Sequence, residues 1–305
     1  HPATALSPRP PTDRSSMSDD ATAAIRRHYE TYGRAFSAFD AAGAAAAWNR
    51  PSIRASTDGV AFDPAATDRT DGFAETMAQL GETDYDHSVL ADLRVHLLSG
   101  RLALGNPVWD RRTADDDRIV RFSALHLLRR TDDGWRLVAR ASRDRAVPLD
   151  FGPFDEHDGE GPAGVAPDDI AAFLDSYARA FGSLEADEIL PAWNLPTLFV
   201  TDDGVISLPD RDAGAGFLDS LRETLYSRNY ARSEVGAAHA HVLDEGLAVA
   251  DVRWDRFDEA GECLERLPVV HFLRETPDGW TLVANAPHDR EGMVAVGDSA
   301  TADAR

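Results

Sequence analysis

The stretch Tyr-Gly-Arg-Ala-Phe at residues 32–36 recurs as Tyr-Ala-Arg-Ala-Phe at residues 177–181, 145 positions further along the chain. Two more motifs keep this offset: Trp-Asn-x-Pro, from 48–51 to 193–196, and Asp-Gly-Trp, from 133–135 to 278–280. Apart from a one-residue slip near Phe73 and Phe217, the register holds throughout. A fixed period over a whole chain is the signature of a duplicated structural unit. The sequence therefore predicts two copies of one domain in tandem.

The boundaries of the copies follow from the repeat and from shifts in composition. The Pro- and Ser-rich start is predicted to be a disordered tail, and a stretch rich in Gly, Pro and acidic residues between the copies is predicted to be a linker. The predicted divisions are a tail at 1–19, copy one at 20–148, a linker at 149–167, copy two at 168–292 and a disordered tail at 293–305.

Both copies show the same order of predicted elements. A helix opens behind an acidic pair, Asp19-Asp20 or Asp168-Asp169, which suits the positive end of a helix. A short hairpin with an Asp-Gly turn and a second helix follow. Four strands then complete the copy, in copy one at about 89–98, 101–110, 119–129 and 135–142. Strands joined by tight turns pair antiparallel, so each copy is predicted to be α+β, a curved antiparallel sheet covered by helices on one face.

The charge balance is strongly acidic. The net charge is −22, and every basic residue except His is Arg because the sequence contains no Lys. At molar salt, where the Debye length is about 3 Å, such a surface repels itself little and stays hydrated. We therefore predict a halophilic protein; the alternative, a GC-rich genome, accounts only for the missing Lys. The acidity also argues against nucleic-acid binding, which depends on basic patches.

Cysteine usage and hydropathy bear on the compartment. Cys263 is the single cysteine and has no partner for an internal disulfide, which agrees with a reducing compartment. The sequence has no apolar run of about 18 residues, the length that a membrane span needs, and residues 1–16 lack the apolar core of a secretory signal. We therefore expect a cytoplasmic protein that does not span a membrane.

Three segments carry a resemblance to a known superfamily: Tyr-x-x-Ala-Phe on the first helix, Trp48-Asn49, and Arg-Arg-Thr-Asp-Asp-Gly-Trp-Arg-Leu-Val at 129–138. With the element order, they resemble the nuclear transport factor two-like superfamily, including its SnoaL-like, ketosteroid-isomerase-like and uncharacterised members. The resemblance implies cone-shaped domains, each with a pocket between sheet and helices, that pair through their sheets. Two cones in one chain imply an internal pseudo-dimer, because the linker keeps the copies at high local concentration.

The resemblance also implies a ligand-binding site. In ketosteroid isomerases an oxyanion-donating Tyr precedes an Asp by eight residues, the spacing of Tyr32 and Asp40, and a protonated Asp occupies the strand position that His126 holds here. A phenol and an imidazole that converge can polarise a carbonyl or bind a polar head group. We predict that His126 points into the cone within one water's reach of the Tyr32 hydroxyl; packing in the core, or between the copies, is the alternative. The ligand-binding candidates are Tyr32, Trp48 and His126 in copy one and Tyr177, Trp193 and His271 in copy two.

The catalytic patterns of the superfamily are incomplete in this sequence. The isomerases carry their general base on the first strand, where this chain has Ser56 in copy one and Thr201 in copy two. Neither hydroxyl takes a proton from carbon near neutral pH. Asp110 and Arg111 match part of the limonene epoxide hydrolase group, but they are adjacent on a strand and so face opposite sides. No catalytic residue is assigned.

A weaker set of candidates lies on the same strands. Trp109-x-Arg111 shares one strand face, which suits either an anionic ligand or the interface between sheets. His96, with Tyr32 and His126, supplies the residue types of a scytalone dehydratase. The weaker candidates are His96, Trp109, Arg111, His241, Trp254 and Arg256. No set of metal ligands can be paired from the sequence, and no cofactor-binding motif is present, so neither metal nor cofactor is predicted.

Two classes of function remain open from the sequence. The first is a pseudo-dimer that binds a hydrophobic small molecule or acts structurally, with no assignable catalysis. The second is a cofactor-independent lyase, isomerase or hydrolase that acts on a hydrophobic ring compound. The missing carboxylate on the first strand favours the first class.

Overall fold

A computed structural model describes residues 14–64, 69–143, 145–154, 166–288 and 292–299. Copy one contains α1 (Arg14–Ser37), α2 (Ala41–Ala46), β1 (Trp48–Ser56), β2 (Gly59–Asp63), α3 (Thr70–Gly81), β3 (His87–Leu97), β4 (Leu102–Arg112), β5 (Arg118–Thr131), β6 (Gly134–Arg143) and β7 (Leu149–Phe154). Copy two contains α4 (Asp168–Ser183), α5 (Ala186–Ile189), a 3-10 turn (Leu190–Ala192), β8 (Trp193–Val200), β9 (Val205–Leu208), α6 (Arg211–Tyr226), β10 (Tyr230–Asp244), β11 (Leu247–Asp258), β12 (Cys263–Thr276), β13 (Gly279–Pro287) and β14 (Met293–Asp298). The predicted α+β architecture in two copies is confirmed.

Each copy forms one six-stranded sheet. The strand orders are β2-β1-β6-β5-β4-β3 and β10-β11-β12-β13-β8-β9. The four-strand meanders are antiparallel as predicted, but β1 pairs with β6, and β8 with β13, in parallel. The chain leaves β1 for the hairpin, α3 and the meander, and returns to it in the same direction, so each sheet is mixed rather than wholly antiparallel.

The two sheets pack against each other through one apolar face. A single buried cluster contains side chains of both copies, among them Leu104 and Leu127 from copy one and Val249 and Phe272 from copy two. The opposite face of each sheet packs under the helices of its own copy. Along β5 the side chains therefore alternate, with Leu127 in the interface and His126 inside the cone. The structure is an internal pseudo-dimer.

Polar contacts across the interface repeat with the 145-residue offset. Arg129 donates to the carbonyl oxygens of Thr201 at 3.0 Å and Asp202 at 2.9 Å. Its equivalent, Arg274, donates to the carbonyl oxygens of Ser56 and Thr57, both at 3.3 Å. Each copy thus uses the equivalent surface to contact the other copy, as the two subunits of a two-fold symmetric dimer do.

Three of the predicted boundaries are corrected. The helix α1 begins at Arg14 rather than behind Asp19-Asp20, because no Pro or Gly stands between Pro11 and Gly33 to stop it. Parts of the predicted linker 149–167 and of the predicted tail 293–305 form β7 and β14, which pair antiparallel with each other. Apolar side chains of both strands are buried, and this burial explains why the two segments form strands rather than a linker and a disordered tail. Residues 1–13, 155–165 and 300–305 lie outside the described residues.

Candidate functional site

A cavity of about 120 Å³, here called cavity one, lies between the helices and the sheet of copy one. It is bounded by α1 and α3 on one side and by β1, β3, β4, β5 and β6 on the other. Its aromatic walls are Tyr32, Phe36, Trp48, Phe73, Trp109 and Phe122, and its polar groups include Arg54, Arg111, His126 and Arg140. The structure therefore brings the candidates Tyr32, Trp48 and His126 to one cavity.

The hydrogen-bond partner of His126 is Tyr29 rather than Tyr32. Tyr29 Oη lies 3.0 Å from His126 Nδ1, and both side chains are buried. Both tyrosines belong to the apolar stripe of α1, but Tyr29 lies one turn earlier, where Gly105 leaves room for its ring. A Cβ on Gly105 would stand 2.6 Å from Tyr29 Oη. Tyr32 and His126 both line cavity one, and the reach of one water between them stays a prediction.

His126 is a neutral imidazole. Burial holds its pKa well below the ordinary value, and the nearby cations Arg140 and Arg69, together with His28, act in the same direction. Within the described chain, Tyr29 Oη has no acceptor other than Nδ1. The phenol therefore donates to Nδ1, because a buried unsatisfied hydroxyl is costly. The ring proton of His126 is then on Nε2.

Tyr32 packs among aromatic rings at the cavity wall. Its ring meets those of Phe36, Phe73 and Trp109 edge to face, at centroid distances of 5.1, 6.2 and 6.4 Å. Burial raises the pKa of its phenol, while the Trp48 side chain and nearby arginines act in the opposite direction. Tyr32 is therefore a neutral phenol that lines the cavity.

Arg54 and Arg140 are cavity residues that sequence analysis does not single out. They are register partners on the parallel strands β1 and β6. Within the described ranges, no carboxylate lines cavity one. Each Arg stands between two apolar residues of a strand, Ile53 and Ala55 for Arg54. That alternation is typical of a half-buried strand with its polar side chains toward solvent, so it does not mark these arginines as cavity residues.

Copy two has its own cavity, here called cavity two, of about 240 Å³. Its walls are mostly apolar and include Phe181, Phe199, Phe217, Leu221, Leu267 and Val269. Tyr177 and His271 line it, but Trp193 does not. The Trp193 indole instead donates to Tyr177 Oη at 3.1 Å. Tyr177 and His271 both line cavity two, and their reach of each other through one water, the copy-two equivalent of the Tyr32–His126 prediction, stays a prediction.

Both ring nitrogens of His271 are engaged within the protein. Trp254 Nε1 donates to Nε2 at 3.0 Å, and Nδ1 lies 2.7 Å from Asn285 Oδ1. An indole N–H is only a donor, so the proton of the neutral imidazole is on Nδ1 and is donated to Asn285. Burial lowers the pKa of His271 to about 4. His271 thus has no nitrogen left to polarise a ligand.

The weaker candidates fall into two groups. Trp109 and Arg111 line cavity one, and Trp254 and Arg256 line cavity two. Arg111 lies over the Phe122 ring, 4.9 Å from its centroid, whereas Arg256 is paired with Glu265 at 2.5 Å.

His96 and His241 lie outside both cavities. The His96 ring is 5.9 Å from that of Phe151 on β7, and His241 Nε2 is 3.3 Å from Asp298 Oδ1 on β14. His239, two residues before His241 and not singled out from the sequence, accepts from the Val296 amide at 3.4 Å. These histidines support the β7–β14 pair.

Asp110 and the possible metal ligands also lie apart from the cavities. Asp110 is buried and binds Arg121 at 2.6 and 3.0 Å and Arg112 at 2.9 Å. In the part of the chain that the structure describes, no three residues of His, Cys, Asp or Glu are grouped to hold a metal ion. The same part contains no helix with the length and apolarity of a membrane span.

Comparisons with known proteins identify the fold family. A family model described as "NTF2-like protein (DUF6841)" matches residues 19–145 and 168–290, that is, both copies. No curated protein matches the chain. Among solved structures, a protein of unknown function from Mycobacterium tuberculosis is similar at 16% identity, over 52% of this chain and 88% of that chain, with a TM-score of 0.36. An NTF2-like protein with a cystatin-like fold from Novosphingobium aromaticivorans is similar at 20% identity, over 45% and 85% of the two chains, with a TM-score of 0.35. Identities this low carry no information about activity.

Proposed function

Since the chain belongs to the NTF2-like protein family DUF6841, we propose that it is a small-molecule-binding pseudo-dimer without assigned catalysis. The observation that carries the proposal is the pair of concave, aromatic-walled cavities, one in each copy. Small-molecule sites are concave and mostly apolar, with a few polar groups that orient the ligand. Both cavities have this character. A cavity of about 150 Å³ holds a benzene-sized molecule, so each is matched to a compact hydrophobic ligand.

The cavities lack the groups that proton-transfer catalysis needs. Among the described residues neither cavity is lined by Asp or Glu. The pKa values of His126 and His271 are lowered by burial, so both imidazoles are weak bases. A general base works best when its pKa is close to the operating pH. Binding without turnover therefore fits the residues better than catalysis does.

One observation keeps a catalytic alternative worth testing. The Tyr29–His126 pair places a hydrogen-bonded imidazole on the wall of cavity one. Such a group can donate a hydrogen bond to a ligand oxygen and so polarise a carbonyl. The alternative is a cofactor-independent lyase, isomerase or hydrolase acting on a hydrophobic ring compound in cavity one.

Native mass spectrometry of the protein purified from its own source tests the proposal. In concentrated ammonium acetate we expect a fraction of the protein to carry one or two extra masses that disappear on denaturation. Two cavity-filling variants serve as matched controls: Ala124→Leu for cavity one and Val269→Phe for cavity two. Each should lose its own ligand and keep the other. A ligand-free spectrum, with no binding of added ring compounds, contradicts the proposal.

Incubation with any ligand so identified separates binding from the catalytic alternative. We expect the compound to be recovered unchanged. A chemical change that the His126→Ala variant abolishes, with binding retained, supports the alternative instead.

A further inference from the structure

We infer that cavity one selects an aromatic carboxylate, whereas cavity two takes an uncharged hydrophobic molecule. The inference rests on the proposed function and narrows it. It starts from an imbalance of charge around cavity one. Arg54, Arg111 and Arg140 line the cavity, and Arg69 lies behind its wall, 3.9 Å from the centroid of Trp48.

The described residues neutralise these four cations only in part. Within the described ranges, Asp63 is their single carboxylate partner; it binds Arg69 and lies 3.7 Å from Arg54. Arg111 and Arg140 form no ion pair with any described residue. The Nε atoms of Arg54 and Arg111 are buried and make no hydrogen bond within that part of the chain. Buried donors without partners are rare in native proteins, and each one needs an explanation.

The arrangement of Arg54 and Arg140 is costly in the empty protein. Neighbouring strands are about 4.8 Å apart, and like charges placed opposite each other destabilise a sheet. Burial lowers the pKa of Arg140, and the charges of Arg54 and Arg111 lower it further. A bound anion relieves this repulsion, because its negative charge lies among the three cations that line the cavity.

Copy two provides an internal comparison at the same positions. Phe199 and Asn285 replace Arg54 and Arg140, and they are register partners in the same way. The shared arginine, Arg256, is neutralised by Glu265. The duplicated fold therefore does not require the arginines, since copy two forms the same sheet without them.

The shape and the remaining polar group of cavity one indicate the kind of anion. A guanidinium fork matches the two oxygens of a carboxylate. The Trp48, Trp109 and Phe73 rings form walls for a flat apolar body, and the volume of about 120 Å³ admits little more than one ring. His126 carries its proton on Nε2 and adds a neutral donor. A single aromatic ring bearing a carboxylate satisfies all three features.

Fluorine NMR of two matched probes, 4-fluorobenzoate and 4-fluorobenzamide, tests the inference. The probes differ in charge and have nearly the same shape. With the intact protein we expect the carboxylate to bind at least about tenfold more tightly than the amide, the value of one charge-assisted hydrogen bond. Arg140→Asn, which introduces the residue of copy two, should weaken carboxylate binding about ten- to a hundredfold and change amide binding by less than about twofold. Arg118→Gln, on the exposed end of β5, is the control and should change neither affinity.

The outcomes separate this inference from the proposed function. Equal affinities for the two probes, or an Arg140→Asn variant that binds the carboxylate as well as the intact protein, overturn the anion inference and leave small-molecule binding standing. Loss of binding for both probes, together with ligand-free native mass spectra, overturns both. A second measurement needs no ligand: Arg140→Asn should raise the melting temperature of the empty protein because it removes the Arg54–Arg140 repulsion. A lowered melting temperature would mean that Arg140 has a structural role, and it contradicts the inference.

Discussion

Phe151 and Val296 lie directly opposite each other in the antiparallel pair of β7 and β14, and each occupies the same position in its own copy. The pair therefore lies on the pseudo-two-fold axis of the molecule. Arg143, whose side chain is fully buried, reaches from β6 to Asp298 on β14 at 2.6 Å. It also donates to the carbonyl oxygens of Val147 at 2.9 Å and Leu243 at 3.3 Å. This contact ties the end of copy two to copy one.

The first prediction concerns this contact. Asp298→Ala leaves the buried guanidinium of Arg143 without its carboxylate, so we expect a loss of about 1–3 kcal/mol in the free energy of unfolding, measured by urea titration. Asp150→Ala on β7 is the matched control. The Asp150 side chain is 54% exposed, and its contact with Arg94 is long, at 3.9 Å. It should change stability by less than about 0.5 kcal/mol. Equal effects of the two variants contradict a bridging role for Arg143.

The second prediction concerns Tyr29 and Gly105. Gly105→Ala places a Cβ 2.6 Å from Tyr29 Oη and should lower the free energy of unfolding by about 1–3 kcal/mol through overpacking. Copy two has Leu174 and Ala250 at these positions, so Tyr29→Leu combined with Gly105→Ala reproduces a pair that the fold accepts. We expect the double variant to be more stable than the sum of the single changes indicates.

A double-mutant cycle provides the measurement. Contacting residues couple by about 0.5–3 kcal/mol, and distant residues add independently. Additive effects mean that Tyr29 is not held in place by Gly105.

The element order and the alternation along β5 are predictable from sequence because an Asp-Gly turn and a strand pleat each depend on a few neighbouring residues. The duplication is predictable because several motifs recur at one constant offset. The pleat placed His126 inside the cone, opposite to Leu127, and the structure agrees.

The partner of His126 and the arginine cluster depend on non-local pairing. Tyr29 and Tyr32 lie on the same helical stripe, and Gly105, from a strand far along the chain, decides which one reaches the imidazole. Arg54 lies opposite Arg140 only because β1 pairs in parallel with β6. No tight turn joins these two strands, so no local sequence motif predicts that they are neighbours. The strands β7 and β14 contain Gly and Pro and stabilise each other across the two copies, so neither segment alone predicts a strand.

The third prediction concerns salt. A chain with a net charge of −22 repels itself when salt is dilute. The Debye length is about 3 Å at 1 M and 10 Å at 0.1 M, so the carboxylates interact over a longer range as salt is removed. We expect a clearly higher melting temperature in 3 M KCl than in 0.1 M KCl, and loss of folded structure below roughly 0.5 M. Equal melting temperatures at the two concentrations contradict the halophilic interpretation.

The last prediction concerns acid. The pKa of His271 is lowered to about 4 in the folded protein because the ring is buried, and it returns to about 6.5 on unfolding. The unfolded chain therefore binds this proton first as the pH falls. Stability is complete above about pH 6.5 and declines as the pH falls toward 4, by an amount on the order of 3 kcal/mol for this residue.

Urea titrations at pH 7.5 and pH 5 measure the decline. The carboxylates are still mostly ionised at pH 5, so buried histidines carry most of the change. His271→Gln retains a polar side chain but cannot titrate, and it should reduce the difference in unfolding free energy between the two pH values. Thr201→Ser changes a wall residue of cavity two without removing a titratable group and should leave that difference unchanged. If both variants keep the full difference, the folded protein already tolerates a charged His271, and the neutral Trp254–His271–Asn285 network is wrong.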